Sequence, residues 1–139
     1  MTNSIRRIEY FYTTVEDRPG EAYRVLAGLA DSGVDLVAMT AVPVGAMRTQ
    51  LTLFPADPAQ LRTIAGRIGM GLDGPYPSFL VQGDDEIGAV AGVLQRLADA
   101  GVNVYASSGV ASGAGRFGYL LHVRSEDFER ASQALGLAA

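Results

Sequence analysis

Residues 85–104 read DEIGAVAGVLQRLADAGVNV, and residues 17–36 read DRPGEAYRVLAGLADSGVDL. A shift of 68 positions lays one stretch on the other without a gap. Asp17 meets Asp85, Gly20 meets Gly88, and Val25-Leu26 meets Val93-Leu94. Leu29-Ala30-Asp31 meets Leu97-Ala98-Asp99, and Gly33-Val34 meets Gly101-Val102. Nine of twenty aligned positions are identical, where ordinary composition gives about one or two. The register continues through Ala38/Ala106, Val42/Val110 and Gly45/Gly113. A fixed period of this kind marks a duplicated structural unit. Two periods account for 136 of the 139 residues, so the repeat is expected to fill the chain, with units at 1–75 and 76–139.

A single copy of this size buries only a marginal core, so the two copies are expected to fold together. Net charge is −4 and the sequence pI is about 4.8. Duplex or membrane-surface binding calls for a basic excess, which this composition lacks. There is no cysteine, which excludes disulfides and thiolate metal sites. The start, Met1-Thr2-Asn3-Ser4-Ile5-Arg6-Arg7, has no apolar run after its basic pair. No run of apolar residues is long enough to span a bilayer. These features together predict a cytoplasmic protein.

Residues 8–15, IEYFYTTV, are aromatic and β-branched and read as a strand. Asp17 reads as a helix N-cap and Pro19 as a first-turn residue. Val25, Leu26 and Leu29 follow at helical spacing, and Gly33 reads as the glycine that closes the helix. Strands follow at 36–44 and 47–54. Pro55-Ala56-Asp57-Pro58 then opens a second helix carrying Leu61, Ile64 and Ile68. Residues 69–77 are rich in glycine and proline, and read as at most a short strand near 70–72 followed by a linker. The second copy repeats the plan. It has a strand at 78–82, a helix at 87–100, strands at 103–110 and 116–123, and a last helix at 125–135 opened by Ser125. Four residues remain after Leu135, too few for a full last strand.

The fold class this predicts is α+β: two ferredoxin-like βαββαβ units, each an antiparallel sheet with helices on one face. The second unit lacks a full last strand of its own. Its first strand is then an open edge, and a segment from the other half or from another subunit is expected to cover it.

A strand, the turn D-R-P-G (Asp17 to Gly20), an apolar helix and G-V-D-L (Gly33 to Leu36) together resemble an ACT domain. The second copy resembles one too, through D-E-I-G (Asp85 to Gly88) and G-V-N-V (Gly101 to Val104). The resemblance covers nearly the whole chain, which is similar to a stand-alone tandem ACT protein. It implies a small regulatory module for allosteric control. Such a module binds a free amino acid or similar effector at an interface between ACT units. It also implies a homodimer with a metabolic enzyme as partner; no catalysis and no cofactor are expected, since nothing in the sequence pairs a nucleophile with a base and no metal set is present. The two copies differ at two of the positions that carry the resemblance. Pro19 is replaced by Ile87, and Asn103 by Asp35 in the first copy. An aspartate there repels an effector carboxylate, so the two sites are not equivalent.

These residue types suit a zwitterion. A helix start offers free N–H groups and partial positive charge to a carboxylate. Gly20 and Gly88 leave that backbone open to close approach. Asp17, Asp85 and Glu86 can accept from an ammonium group, and the Asn103 amide both donates and accepts. The expected site joins residues 17–20, residues 85–88 and Asn103. Each residue also has a structural role available: the aspartates as caps, the glycines in close helix–sheet packing, Asn103 in a turn.

Other chemistries find less support. His122 is the sole histidine and has no cysteine or acid pair beside it in sequence. Asp84-Asp85-Glu86 suits a helix start without any cation. The glycines at 109–118 lie between two strands, whereas a phosphate loop leads into a helix. Arg116-Phe117-Gly118-Tyr119-Leu120 half matches the third strand of an RNA-recognition domain. It lacks the glycine after arginine, and Phe117 and Tyr119 align with Thr49 and Leu51 as core positions. Three functional readings result: an effector-binding sensor, a ligand-free interaction module that docks an enzyme, and a single-stranded nucleic-acid binder.

Overall fold

A computed structural model describes residues 4–84 and 88–137. The elements in order are β1 (Ser4–Glu16), α1 (Glu21–Asp31), β2 (Leu36–Pro43), β3 (Arg48–Pro55), α2 (Pro58–Ile68) and β4 (Asp73–Asp84). After them come α3 (Ala89–Asp99), β5 (Ala106–Gly113), β6 (Arg116–His122), a 3₁₀ turn (Ser125–Asp127) and α4 (Phe128–Ala134). The chain folds as α+β, in two ferredoxin-like units.

The first unit is Glu9–Tyr76. Its strand order is β2-β3-β1-β4, with β4 represented by its first residues. β3 runs antiparallel to both β1 and β2, pairing Leu53 with Phe11 and with Met39. The core beneath the helices is Phe11, Val15, Val25, Leu29, Val34, Leu51, Leu53, Leu61 and Ile64.

The second unit takes the described residues up to Ile8 and those from Pro77 onward. Its order is β1-β4-β6-β5. β6 is antiparallel to β4 and β5, pairing Leu121 with Phe79 and with Ser107. Its core includes Phe79, Val81, Val93, Leu97, Val102, Phe117 and Leu121. Five core positions thus recur at the 68-residue shift: Phe11/Phe79, Val25/Val93, Leu29/Leu97, Val34/Val102 and Leu53/Leu121. Burial of each such side chain contributes roughly 1.5–3 kcal/mol. The sequence repeat is therefore a repeat of the core.

The edge left open in the second copy is filled by the start of β1, whose Ile5 packs against the second core. The first copy takes its own last strand from the start of β4. β4 runs unbroken from Asp73 to Asp84. This corrects the expected strand near 70–72 and the linker after it. In the first unit β4 is the edge strand, where the N–H missing from Pro75 needs no partner.

The helix ends explain why Gly-Val recurs. Gly33 N–H donates to Ala30 O (3.0 Å) and Val34 N–H to Leu29 O (3.0 Å). Gly101 N–H donates to Ala98 O and Val102 N–H to Leu97 O, both at 2.9 Å. These are paired Schellman closures, and the valine after each glycine is buried with the leucine five residues before it. Gly136 and Leu137 close α4 in the same manner, onto Gln133 O and Ser132 O. Asp57 caps α2 by accepting from Gln60 N–H at 3.2 Å, with Pro58 behind it.

Several local expectations change. α4 is preceded by a 3₁₀ turn, and no side chain caps it. β5 starts at Ala106, so Asn103 lies ahead of it in the segment after α3. Phe117 is buried and Tyr119 half-buried on the helix side of β6, with the core. They do not face outward as base-stacking aromatics would.

Candidate functional site

The glycine before the helix has nearly the same φ in both copies. Gly20 precedes α1 with φ +87°, and Gly88 precedes α3 with φ +85°. L side chains avoid this left-handed region, and glycine does not. A Cβ added at either position meets nothing within 4 Å among the described residues. The glycines are therefore needed for their backbone angle and not for close helix–sheet packing.

Asp17 is not the N-cap of α1. That place belongs to Gly20, and no side chain caps the helix. Asp17 instead closes the corner through its backbone, donating to Met47 O at 2.8 Å, and its side chain is exposed. Pro19 lies in the turn before the helix and not in its first turn. Asp35 is exposed, and its carbonyl accepts from Ala56 N–H at 2.9 Å.

The first corner supplies its own ions. Arg18 Nη2 forms an ion pair with Glu16 Oε2 (2.7 Å) and donates to Glu21 Oε1 (3.0 Å), and Arg24 Nη2 donates to Glu21 Oε2 (2.8 Å). Hydrogen bonds from Arg24, and then from Arg18, hold the Glu21 carboxyl below its usual range. Glu21 is the first residue of α1, so a carboxylate already stands at that helix start.

The second corner differs. Residue 89, the counterpart of Glu21, is alanine. Gly92 N–H bonds to Gly88 O at 3.0 Å. The N–H groups of Ala89, Val90 and Ala91 precede that first helical bond and have no carbonyl of their own helix to meet. Among the described residues no side chain caps them. Gly88 and Asn103 are both exposed. Asp85, Glu86 and Ile87 lie outside the described residues. Just before them, Asp84 Oδ1 accepts from Arg116 Nη1 at 3.1 Å. Asp84 Oδ2 is buried and has no partner among the described residues.

Beside this helix start a cleft of about 250 Å³ opens between α3 and the β5–β6 hairpin. It is lined by Ala89 and Val90, by Gly109, Val110 and Ala111, and by Phe117, Gly118 and Tyr119. The Tyr119 ring lies over Gly109: a Cβ there would come within 2.6 Å of Tyr119 Cδ1. The Tyr119 hydroxyl donates to Ser107 Oγ at 2.9 Å. A helix start of this kind can receive anionic oxygens, and such a wall can receive an apolar group.

Sequence reasoning found the corners and missed the cleft and Asp84 Oδ2. The cleft depends on a cross-strand pair, Gly109 with Tyr119, which no local spacing reveals. Asp84 was legible only as part of an acidic run.

His122 belongs to the structure of the second unit. The single Ser78 hydroxyl proton goes to Leu121 O at 2.7 Å. His122 Nδ1, 3.3 Å from that oxygen, is therefore the donor to it. Burial lowers the His122 pKa. Among the described residues no three His, Asp or Glu side chains gather as metal ligands, and no helix is long and apolar enough to cross a membrane.

No protein-family model and no curated protein sequence matches the chain. Solved structures do. Protein BT0572 from Bacteroides thetaiotaomicron matches with a TM-score of 0.81 at 16% identity, over 95% of this chain and 88% of that one. The ligand-free regulatory subunit of aspartate kinase from Thermus thermophilus matches at 0.61 and 19% identity, over 96% and 94%. E. coli aspartokinase III, in complex with lysine and aspartate in its T-state, matches at 0.53 and 18%, over 97% of this chain and 32% of the kinase. At such identities the likeness concerns the fold, and the fold is the tandem ACT type, two ferredoxin-like units similar to those of aspartate kinase regulatory subunits.

Proposed function

We propose that the chain is a regulatory module that binds a small amino-acid-like effector at its glycine corners, at an interface between ACT units. The observation that carries this reading is the α3 start, with left-handed Gly88 and three amides without a helical partner or a cap among the described residues. The fold likeness to regulatory subunits supports it. The effector carboxylate takes the amides that follow Gly88, and the Gly20 corner supplies the equivalent backbone in the first copy. The ammonium group is met by acceptors from Asp17, Asp85 and Glu86. The Asn103 amide bridges the two groups, while Asp35 weakens the first copy's site. Pro19 shapes the turn of the first copy. The module acts as a homodimer and controls a metabolic enzyme without catalysing a reaction itself.

The test is a thermal-shift panel of the twenty amino acids on the full chain. An effector at 100 times its Kd adds about 2.7 kcal/mol. One or more amino acids raising Tm, with the rise lost in Gly88→Val, supports the reading. A flat panel counts against it.

A ligand-free interaction module is the second reading, and a specific feature favours it. β5 is exposed along its whole length, and apolar residues are exposed at matching places in both copies: Val37 and Tyr105, Val42 and Val110. A flat panel combined with stable association of the chain with a separate enzyme subunit would select it.

A further inference from the structure

We infer that the effector site lies in the second unit and selects an amino acid with an uncharged, apolar side chain. This rests on the effector-binding reading above and adds the ligand class and the competent copy.

The α3 cleft sets the class. Among the described residues its lining has no ionisable side chain except the Tyr119 phenol, and that hydroxyl is already committed to Ser107. A charged side chain placed there would lose its water and find no counter-ion, which is costly. An aliphatic or aromatic side chain loses nothing and buries apolar area against Val90, Ala111 and Phe117. The volume, about 250 Å³, falls just under the roughly 300–1,000 Å³ of drug-sized pockets. It therefore suits a free amino acid and not a nucleotide or a larger cofactor.

The other copy explains the choice of unit. Tyr119 has Leu51 as its counterpart, and Leu51 is fully buried. Gly109 has Ala41 as its counterpart. Ala89 has Glu21, whose carboxylate is tied to Arg18 and Arg24. The first unit thus places a charged group where the second leaves an apolar wall.

The experiment is calorimetric titration of the full chain with leucine, valine and phenylalanine, and with aspartate, lysine and arginine. It is repeated on Ala89→Glu, which gives the second copy the residue of the first. Glutamate suits a first helical turn, so unliganded Tm is expected to hold. The expected result is saturable binding of at least one apolar amino acid, weakened at least tenfold in Ala89→Glu and unchanged in Glu21→Ala. Ala111→Glu, at an exposed position that pairs with Phe117 and so shares its face of the hairpin, is a second variant that keeps the test valid should Ala89→Glu fail to fold. Binding of charged amino acids alone overturns the selectivity and leaves the effector reading standing. Apolar binding lost in Glu21→Ala and kept in Ala89→Glu and Ala111→Glu overturns the placement. No binding of any of the six overturns this inference, and only a flat panel of all twenty removes the effector reading with it.

Discussion

Replacing Gly88 with alanine tests the corner geometry through stability alone. Gly88 sits at φ +85°, and a Cβ there meets no atom of the described residues within 4 Å. The cost is therefore backbone strain with no steric clash added. An L residue in the left-handed region costs roughly 1–2 kcal/mol, and alanine is a poorer N-cap than glycine by about 0.5 kcal/mol. Against this, alanine lowers the entropy of the unfolded chain, returning about 0.4–1 kcal/mol. The net loss is about 1 kcal/mol. For 139 residues at about 2.1 cal/mol/K each, unfolding entropy is about 0.3 kcal/mol/K. Tm should fall by about 3 °C, read by far-ultraviolet circular dichroism with a urea series for the free energy. Gly20→Ala should behave alike, since Gly20 has φ +87° and the same open surroundings. Gly88→Asn should stay near wild type, because asparagine tolerates this region and caps helices well. Gly88→Ala proteins as stable as wild type, or more so, would refute the left-handed corner.

Three further outcomes follow from the packing. Leu97→Ala, at a fully buried core position, should cost about 2–5 kcal/mol, and Leu29→Ala the same range at the matching position; urea midpoints would show whether the duplicated core carries equal weight. Gly109→Ala should destabilise by about 1–3 kcal/mol through the Tyr119 ring. Adding Tyr119→Leu recreates the Ala41–Leu51 pair of the first copy and should recover part of that loss in a double-mutant cycle. Burial lowers the His122 pKa in the folded state, so the unfolded chain binds more protons below about pH 6.5. That contribution is complete above the unfolded value and is lost as pH falls toward the folded one. Stability measured between pH 7.5 and 5 should fall less steeply in His122→Gln than in wild type, and equal slopes would rule the assignment out.

The architecture was readable because the features that repeat in the sequence are the ones that build each unit. Val25/Val93 and Leu29/Leu97 are core contacts, and Gly33-Val34 and Gly101-Val102 are helix closures. β4 was unreadable as one strand because glycine and proline at 74–77 imitate a linker. Only the tertiary order makes that stretch an edge strand. Asp17 looked like a cap because its residue type suits one, but the left-handed backbone at Gly20 moves the helix start beyond its reach. The cleft was invisible for a related reason. Gly109 and Tyr119 are ten residues apart in sequence and meet only through strand register.

The account stands most directly on the amides of Ala89, Val90 and Ala91. Amide NMR of the full chain, titrated with each of the twenty amino acids in turn, would observe them one by one. The account predicts that at least one amino acid, with an apolar side chain, shifts these resonances in a saturable manner. If none of the twenty moves them, no effector is held at that corner and the sensor function is contradicted.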